Sequence, residues 1–307
     1  MGVERRDTEV SEGDGGPRLV MPAPAKVNLV LCIGGTREDG FHDLVSIFQA
    51  VEIRDTVILS TLDAPEIRVT ASDVRLPCDE RNTAYRAARL LRDAHAPDRG
   101  VKIYLEKRIP AEAGLGGGSS DAAAVLRGLN ALWGLGLSTE ALLPFAAAVG
   151  SDVPFFLSAG CALVRGRGER VEPLPCSLDA HLVIAKPAVG VSTARAYAEL
   201  DALRAGRVPE PCDDAIATMR AALERGDRAG VVRALRNDLE APVLAMHPEI
   251  AGLKAELLAR GAEGALLSGS GSAVFGLFAT EDAARECAGA LAERWPWVCV
   301  ARPWRSR

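Results

Sequence analysis

The chain has 307 residues, of which 48% are hydrophobic and 25% are charged. At roughly 100–200 residues per domain, this length predicts two domains, each able to bury a core of its own. The hydrophobic content excludes an intrinsically disordered chain. The net charge of −5, from 36 basic and 41 acidic residues, argues against a general nucleic-acid binder, which would carry a basic face.

Seven cysteines are scattered along the chain without a C-x-x-C pair. A secreted disulfide framework and a zinc ribbon both require closer spacing, so we expect reduced, mostly buried thiols and no dedicated metal site. No apolar run reaches the ~18 residues of a membrane span, and the first residues lack the apolar core of a signal peptide. The sequence therefore predicts a cytoplasmic protein without membrane or nucleic-acid partners.

In chain order, residues 1–17 are polar and aperiodic, and they predict a disordered tail. A strand is predicted over 25–31, where Lys26 and Asn28 share the face opposite to Val27 and Leu29. Burying these two polar side chains without partners would cost free energy, so we expect them to have a structural or functional role.

The remaining elements alternate irregularly between strand and helix. Strands are predicted around 51–59, 67–70, 101–107, 181–185, 265–267 and 273–278, and helices over 82–94, 121–130, 139–149, 193–203, 213–224, 228–239, 248–260 and 282–294. Because no regular βαβ alternation emerges, the predicted fold class is α+β.

The most informative segment is the glycine-rich stretch from Gly114 to Ser120, which lies between a predicted strand and a predicted helix. Each glycine costs backbone entropy, yet glycines allow backbone N–H groups to converge. Two serine hydroxyls and the positive end of a helix dipole complete a cradle suited to a di- or triphosphate. Neither G-x-x-x-x-G-K-[ST] nor G-x-G-x-x-G occurs, and a flexible turn before a helix is the alternative interpretation.

This stretch resembles the phosphate loop of the GHMP kinase superfamily. Four further stretches carry the resemblance in the same order over nearly the full chain: Pro24–Asn28, Gly40–His42, Gly150–Phe156 and Ser268–Ser272. The resemblance implies a two-domain kinase, with an N-terminal ATP-binding domain over 18–168 (ribosomal protein S5 domain 2-like) and a C-terminal domain over 169–307 (ferredoxin-like). The ATP-binding residues that it implies are Lys107, Pro110, Ala111, Glu112, Ala113, Gly114, Leu115, Gly116, Gly117, Gly118, Ser119 and Ser120.

Within the family, the resemblance is to members whose acceptor is 4-diphosphocytidyl-2-C-methyl-D-erythritol. It implies ATP-dependent phosphorylation of the 2-hydroxyl of that compound, in the non-mevalonate route to isoprenoid precursors. Mg²⁺ is expected with ATP because this ion prefers few protein ligands together with phosphate oxygens. The oligomeric state is left as monomer or homodimer.

Asp152 and Lys26 are the predicted catalytic residues. Asp152 occupies a turn between Gly150 and Pro154, and by resemblance it orients or deprotonates the acceptor hydroxyl. Lys26 would offset charge on the acceptor oxygen. The alternatives are an aspartate that caps the next helical turn and a lysine at an exposed strand edge.

Four further residues are predicted to bind the substrate by resemblance: Asn28, Phe41, His42 and Thr193. Phe41 and His42 stand where the family carries an aromatic–His pair that stacks on and hydrogen-bonds cytosine; Phe41 keeps the ring and lacks a phenol oxygen. A Phe that plugs the core, a solvated His and a Thr that caps a helix are the alternatives. Lys107 is expected to flank the nucleotide base, and Glu112 is unusual for a phosphate loop.

Two other functions compete with this prediction. One is a GHMP kinase that phosphorylates homoserine or a mevalonate derivative, although such acyclic acceptors offer no base for Phe41 to stack on. The other is a binding protein that kept the fold and lost the reaction, which the presence of both Lys26 and Asp152 disfavours.

Overall fold

The computed structural model describes residues 9–13, 16–38, 40–158, 160–207 and 209–304. The strands are β1 (Glu9–Gly13), β2 (Gly16–Thr36), β3 (His42–Leu62), β4 (Ile67–Ala71), β5 (Gly100–Glu106), β6 (Cys161–Gly166), β7 (Arg170–Pro173), β8 (His181–Lys186), β9 (Arg236–Asn237), β10 (Gly264–Leu267), β11 (Val274–Phe278) and β12 (Trp297–Ala301). The helices are α1 (Thr83–His95), α2 (Gly117–Leu132), α3 (Thr139–Val149), α4 (Val153–Ser158), α5 (Thr193–Arg204), α6 (Asp213–Arg225), α7 (Arg228–Ala234), α8 (Glu240–Met246), α9 (Pro248–Ala259) and α10 (Glu281–Ala292). This intermixing of helices and strands confirms the predicted α+β class.

The chain divides into two compact units that do not follow a single cut in the sequence. The first unit comprises Met1–Ala25, Arg54–Ile109 and Gly116–Ser158, and the second comprises Lys26–Ile53, Pro110–Leu115 and Ala159–Arg307. The long strands β2 and β3 therefore contribute residues to both units. The predicted division into domains over 18–168 and 169–307 follows the chain rather than these contacts, and it stays a prediction.

The first unit packs helices α1 to α4 beside a small sheet. In this sheet β5 pairs antiparallel with the second half of β3 and parallel with β4. Gly128 of α2 lies so close to Leu59 that a methyl group there would overlap the leucine side chain. The absence of a side chain at Gly128 thus lets α2 approach the sheet closely.

The second unit contains a four-stranded antiparallel sheet in the order β10-β11-β8-β12. Helices α9 and α10 pack against this sheet, and apolar side chains such as Leu253, Phe278 and Leu291 fill the space between them. The first half of β3 pairs with β6 in the same unit. β9 pairs in parallel with β2 at Val30 and Leu31.

Several boundaries depart from the sequence-based expectation. Residues 9–13 of the predicted tail form β1, which pairs with residues 16–20, because the edge of β2 offers unpaired backbone groups. The remaining tail residues, 1–8, 14 and 15, lie outside the described residues. Helix α2 begins at Gly117 rather than near Asp121, since the Ser120 N–H donates to the Gly116 carbonyl and closes a first turn.

The predicted helix over 228–239 is wrong in its second half, because α7 ends at Ala234. The side chain of Asn237 donates to the carbonyls of Leu267 and Gly269 and accepts from the Leu239 N–H. Such bonds from an Asn side chain compete with helical backbone bonds, and here they end the helix.

The prediction that the cysteines are reduced thiols is wrong for one pair. Cys32 on β2 and Cys212 before α6 form a disulfide whose Cα atoms lie 6.2 Å apart. The other five cysteines form no disulfide among the described residues, and Cys161 and Cys287 are buried as expected. A separation of 180 residues gives no local signal, which is why the sequence did not indicate this pair. Among the described residues, no helix is both long and apolar enough to cross a lipid bilayer.

Candidate active site

The start of α2 forms the second half of the predicted phosphate loop. Gly116 occupies the N-cap position with a φ of 71°, a left-handed conformation that favours glycine, and no side chain caps the helix. The first N–H groups of α2 therefore have no capping side chain. Ser120 is fully buried, and its hydroxyl oxygen has no hydrogen-bond partner among the described residues. The amides and the buried hydroxyl are hydrogen-bond donors suited to a phosphate chain, and the helix dipole favours the negative charge of the phosphates.

Beneath this turn lies a buried ionic group that we call the Lys107 cluster, made of Lys107, Asp55 and Asp121. The Lys107 ammonium contacts a carboxylate oxygen of Asp55 and lies 2.5 Å from one of Asp121. Asp55 also accepts the backbone N–H groups of Arg108 at 2.5 Å and Ile109 at 2.8 Å. The cluster thus ties the chain that enters the loop to the first turns of α2.

Burial and charge shift the protonation equilibria of this cluster. Burial opposes the charged form of Lys107, but the carboxylates of Asp121 and Asp55 outweigh it and raise the pKa of Lys107. Burial, aided by the Asp55 carboxylate and opposed by Lys107, raises the pKa of Asp121 to about 7. One cation facing two buried carboxylates favours retention of a proton on the pair. The structure thus gives Lys107 two carboxylate partners, and its predicted contact with a nucleotide base stays a prediction.

The first half of the loop, Pro110–Leu115, belongs to the second unit and packs on the turn after β10. The Ser268 hydroxyl donates to the Gly114 carbonyl at 3.1 Å, and the N–H of Ser272 donates to the Glu112 carbonyl at 3.3 Å. Gly114 has a φ of 73°, and a methyl group there would overlap the Ser268 carbonyl. Ser268–Ser272 therefore supports the loop, while Glu112 is exposed.

The Lys26 cluster, which comprises Lys26, Asn28 and Ser46, lies on β2 and β3 within the second unit. Lys26 Nζ donates to Asn28 Oδ1 at 2.6 Å, and Asn28 Nδ2 donates to Ser46 Oγ at 3.0 Å. Ser46 Oγ in turn donates to the Val30 carbonyl at 2.5 Å. Lys26 Nζ also lies 4.6 Å from the centre of the Phe48 ring. The side chain of Lys26 is buried and held in place by this chain, so it is not the exposed strand-edge lysine of the alternative interpretation.

The predicted aromatic–His pair shows two different environments. Phe41 is 54% exposed, and the guanidinium of Arg167 lies 4.7 Å from its ring centre. His42 is held by Asp201 on α5, with Nε2 2.9 Å from Oδ1. Phe41 therefore does not plug the core, and the ring of His42 is not solvated, its side chain being only 9% exposed.

Thr193 begins α5, but it does not cap the helix. The Ser192 hydroxyl accepts the N–H of Arg195, so Ser192 is the cap. The Thr193 hydroxyl lies 2.8 Å from Ser270 Oγ, which places it against the same turn that supports the loop.

Asp152 directly precedes α4 in the first unit, whereas Lys26 belongs to the second unit. Their predicted pairing stays a prediction. The described residues contain no group of three or more His, Cys, Asp or Glu that could hold a metal ion.

Four functional candidates were missed by the sequence reading: Asp55, Asp121, Ser46 and Asp201. Asp121 directly follows the second serine of the loop, and its place in the first turns of a helix was a signal that could have been used. Ser46 and Asp55 are fully buried polar residues of β3, and their neighbours in the sequence give no signal of a chemical role. Asp201 meets His42 across 159 residues of sequence, which no local pattern can indicate.

Other proteins are similar to this chain in sequence and in fold. Profiles described as "GHMP kinases N terminal domain" and "GHMP kinases C terminal" match residues 82–160 and 219–296. A protein of Moorella thermoacetica, named 4-diphosphocytidyl-2-C-methyl-D-erythritol kinase, is 45% identical over 92% of this chain and 98% of its own length. A protein of the same name from Exiguobacterium sibiricum is 45% identical over 87% of this chain and 91% of its own length.

A solved structure titled 4-(cytidine 5'-diphospho)-2C-methyl-D-erythritol kinase superposes with a TM-score of 0.75 at 37% identity, and the match covers 93% of this chain and all of that one. A homoserine kinase of Cytophaga hutchinsonii superposes equally well at 24% identity, with 99% and 97% of the two chains covered, and shows the shared fold. Both findings confirm the predicted two-domain fold. The chain belongs to the GHMP kinase family.

Proposed function

We propose that this protein transfers the terminal phosphoryl group of ATP to the 2-hydroxyl of 4-diphosphocytidyl-2-C-methyl-D-erythritol. The proposal that ATP is the phosphoryl donor is supported by the uncapped start of α2, where the buried hydroxyl of Ser120 has no partner among the described residues. An unpaired buried hydroxyl is costly to keep in a folded protein, and a phosphate oxygen would supply its missing partner. The acceptor half rests on the relatives at 45% identity, which carry the name of that activity.

The reaction needs an acceptor oxygen placed in line with the phosphorus atom that it attacks. Asp152 would accept the proton of the 2-hydroxyl as its oxygen bonds to that phosphorus, and the bond to the ADP oxygen would break. Lys26 would offset the negative charge that develops on the transferred group. Asn28 would orient the Lys26 ammonium through the bond from Nζ to Oδ1.

Mg²⁺ is proposed to accompany the nucleotide. The donors at the start of α2 suit phosphate, and the Ser120 hydroxyl is one oxygen that could join the phosphate oxygens around the ion. When bound, the ion would neutralise charge on the phosphate chain. We also propose that the protein acts in the cytoplasm, as a monomer or homodimer, without a nucleic-acid partner.

The acceptor is tested by assaying ADP release from ATP with a panel of alcohols. The full-length protein is given 4-diphosphocytidyl-2-C-methyl-D-erythritol, L-homoserine or mevalonate, with Asp152→Asn as the matched control. We expect turnover with the cytidine compound alone. Turnover with only homoserine or mevalonate would assign another kinase activity, and no turnover with any of them would favour a binding protein.

The donor site is tested by Ser120→Ala. We expect the KM for ATP to rise about tenfold, because a hydrogen bond to a charged group is lost. The thermal midpoint should stay the same or rise, since the variant removes a buried hydroxyl without a partner. An unchanged KM for ATP would contradict the proposed role of the loop.

A further inference from the structure

The imidazole of His42 is fixed by contacts that act on one of its two nitrogens. Nε2 lies 2.9 Å from Asp201 Oδ1 and 3.3 Å from Thr36 Oγ1. The ring of Tyr197 packs at a centroid distance of 5.0 Å from that of His42. All four residues belong to the second unit, and the His42 side chain is 9% exposed.

These contacts require a proton on the nitrogen that faces Asp201. An ionised carboxylate can only accept a hydrogen bond, so the nitrogen beside Asp201 must be the donor. In a neutral imidazole with a proton on Nε2, the other nitrogen has a lone pair and can only accept. Within the part of the chain that the structure describes, no hydrogen bond uses His42 Nδ1.

A ring nitrogen that can only accept a hydrogen bond distinguishes cytosine from uracil by the group at position 4 of the base. Cytosine carries an amino group at position 4, which donates, whereas uracil carries a carbonyl oxygen there, which accepts. Two acceptors facing each other leave both without a partner and cost binding energy. Phe41, next to His42 in the chain and exposed, supplies a ring face on which either base could stack, so stacking alone does not discriminate.

We infer that Asp201 is a positioning residue that holds His42 with its proton on Nε2 and so makes the protein select cytidine over uridine substrates. This inference rests on the proposed function, in which His42 binds the base of the acceptor. Asp201 acts through His42 and does not itself touch the reacting atoms. Its carboxylate is half exposed, so its replacement is compatible with folding.

The kinetic test compares Asp201→Asn with the unmodified protein, using the cytidine acceptor and its uridine analogue. An amide can donate as well as accept, so the variant permits both tautomers of His42. We expect the cytidine-to-uridine ratio of kcat/KM to fall about tenfold, through KM, while kcat for the cytidine acceptor changes by less than about twofold. Glu199→Gln, an exposed acid on the same helix, is the matched control and should leave the ratio unchanged.

A second measurement is independent of catalysis. The ¹⁵N chemical shifts of the His42 ring should report a proton on Nε2 in the unmodified protein and a mixture of tautomers in Asp201→Asn. Calorimetry should show CDP binding more tightly than UDP, with the difference reduced in the variant.

A proton on Nδ1 in the unmodified protein, or a base preference that Asp201→Asn leaves intact, would overturn the inference. If no phosphoryl transfer to either acceptor is found, the proposed function fails. The tautomer and the preference for CDP over UDP then decide the inference by themselves.

Discussion

Two lysines of this protein, the buried Lys26 and the largely buried Lys107, are held by different kinds of contact. In the Lys107 cluster of the first unit, the ammonium faces the carboxylates of Asp55 and Asp121. In the Lys26 cluster of the second unit, the ammonium donates to the neutral amide oxygen of Asn28 and lies over the ring of Phe48. In the first group two carboxylates hold the ammonium, and in the second an amide oxygen and an aromatic ring contact it.

The different contacts of the two lysines suit different roles. A cation whose charge is compensated inside the fold connects elements, and here it joins β3, β5 and α2 at the entrance to the phosphate loop. A buried ammonium whose direction is set by an amide can stabilise a phosphoryl group that carries negative charge. We therefore propose a positioning role for Lys107 and a catalytic role for Lys26.

The largest expected effect is on turnover. Lys26→Met and Asp152→Asn should each lower kcat by ~10²–10⁴ while the thermal midpoint stays close to that of the unmodified protein. Steady-state kinetics with saturating ATP and acceptor measure the loss. A variant of either residue with near-normal turnover would remove that residue from the proposed mechanism.

Lys107→Met is the matched change in the other cluster, and its main effect should be on stability. Removing the cation leaves the buried pair of Asp55 and Asp121 without its counter-charge, which typically costs about 3–5 kcal/mol of unfolding free energy. Urea unfolding followed by circular dichroism checks this value. A variant as stable as the unmodified protein, with lower kcat, would reverse the assignment of the two lysines.

The pH dependence of stability gives a sharper test of the Lys107 cluster. The pKa of Asp121 is raised to about 7 in the folded state, above its ordinary value of 3.8. The folded protein therefore binds more protons than the unfolded chain between these values, and this residue's contribution to stability is lost as pH rises from about 4 to about 7. Asp121→Asn should remove that loss.

Urea unfolding at several pH values within that window measures the effect. The free energy of unfolding of the unmodified protein, minus that of Asp121→Asn, should decrease as pH rises. A difference that stays constant would show that Asp121 does not hold the extra proton.

Much of the fold follows from local sequence patterns. Asn82 and Ser138 cap α1 and α3, a position that favours Asn and Ser because an N-cap depends only on neighbouring backbone N–H groups. The strands with alternating polarity, such as β5, also lie where predicted. β6, β7 and β12 were not predicted, because their pairing depends on partners that are distant in the sequence.

In the candidate site too, local sequence patterns were visible and contacts between distant segments were not. The glycine-rich loop and the polar strand residues Lys26 and Asn28 were visible because residue types were out of place in their local context. The carboxylates around Lys107 and the contact of Asp201 with His42 were not, since each joins residues of separate segments. The sequence pattern thus indicated candidate residues of the site and missed the residues that contact them.

A double-mutant cycle tests the central claim most directly, namely that Lys26 and Asp152 act together on one transferred phosphoryl group. The kcat values of Lys26→Met, Asp152→Asn and the double variant are measured with ATP and 4-diphosphocytidyl-2-C-methyl-D-erythritol. We predict that the double variant is slowed little more than the slower single variant, because groups that act as a unit lose their effect together. Losses that multiply in the double variant would show that the two residues act independently and would contradict the proposed mechanism.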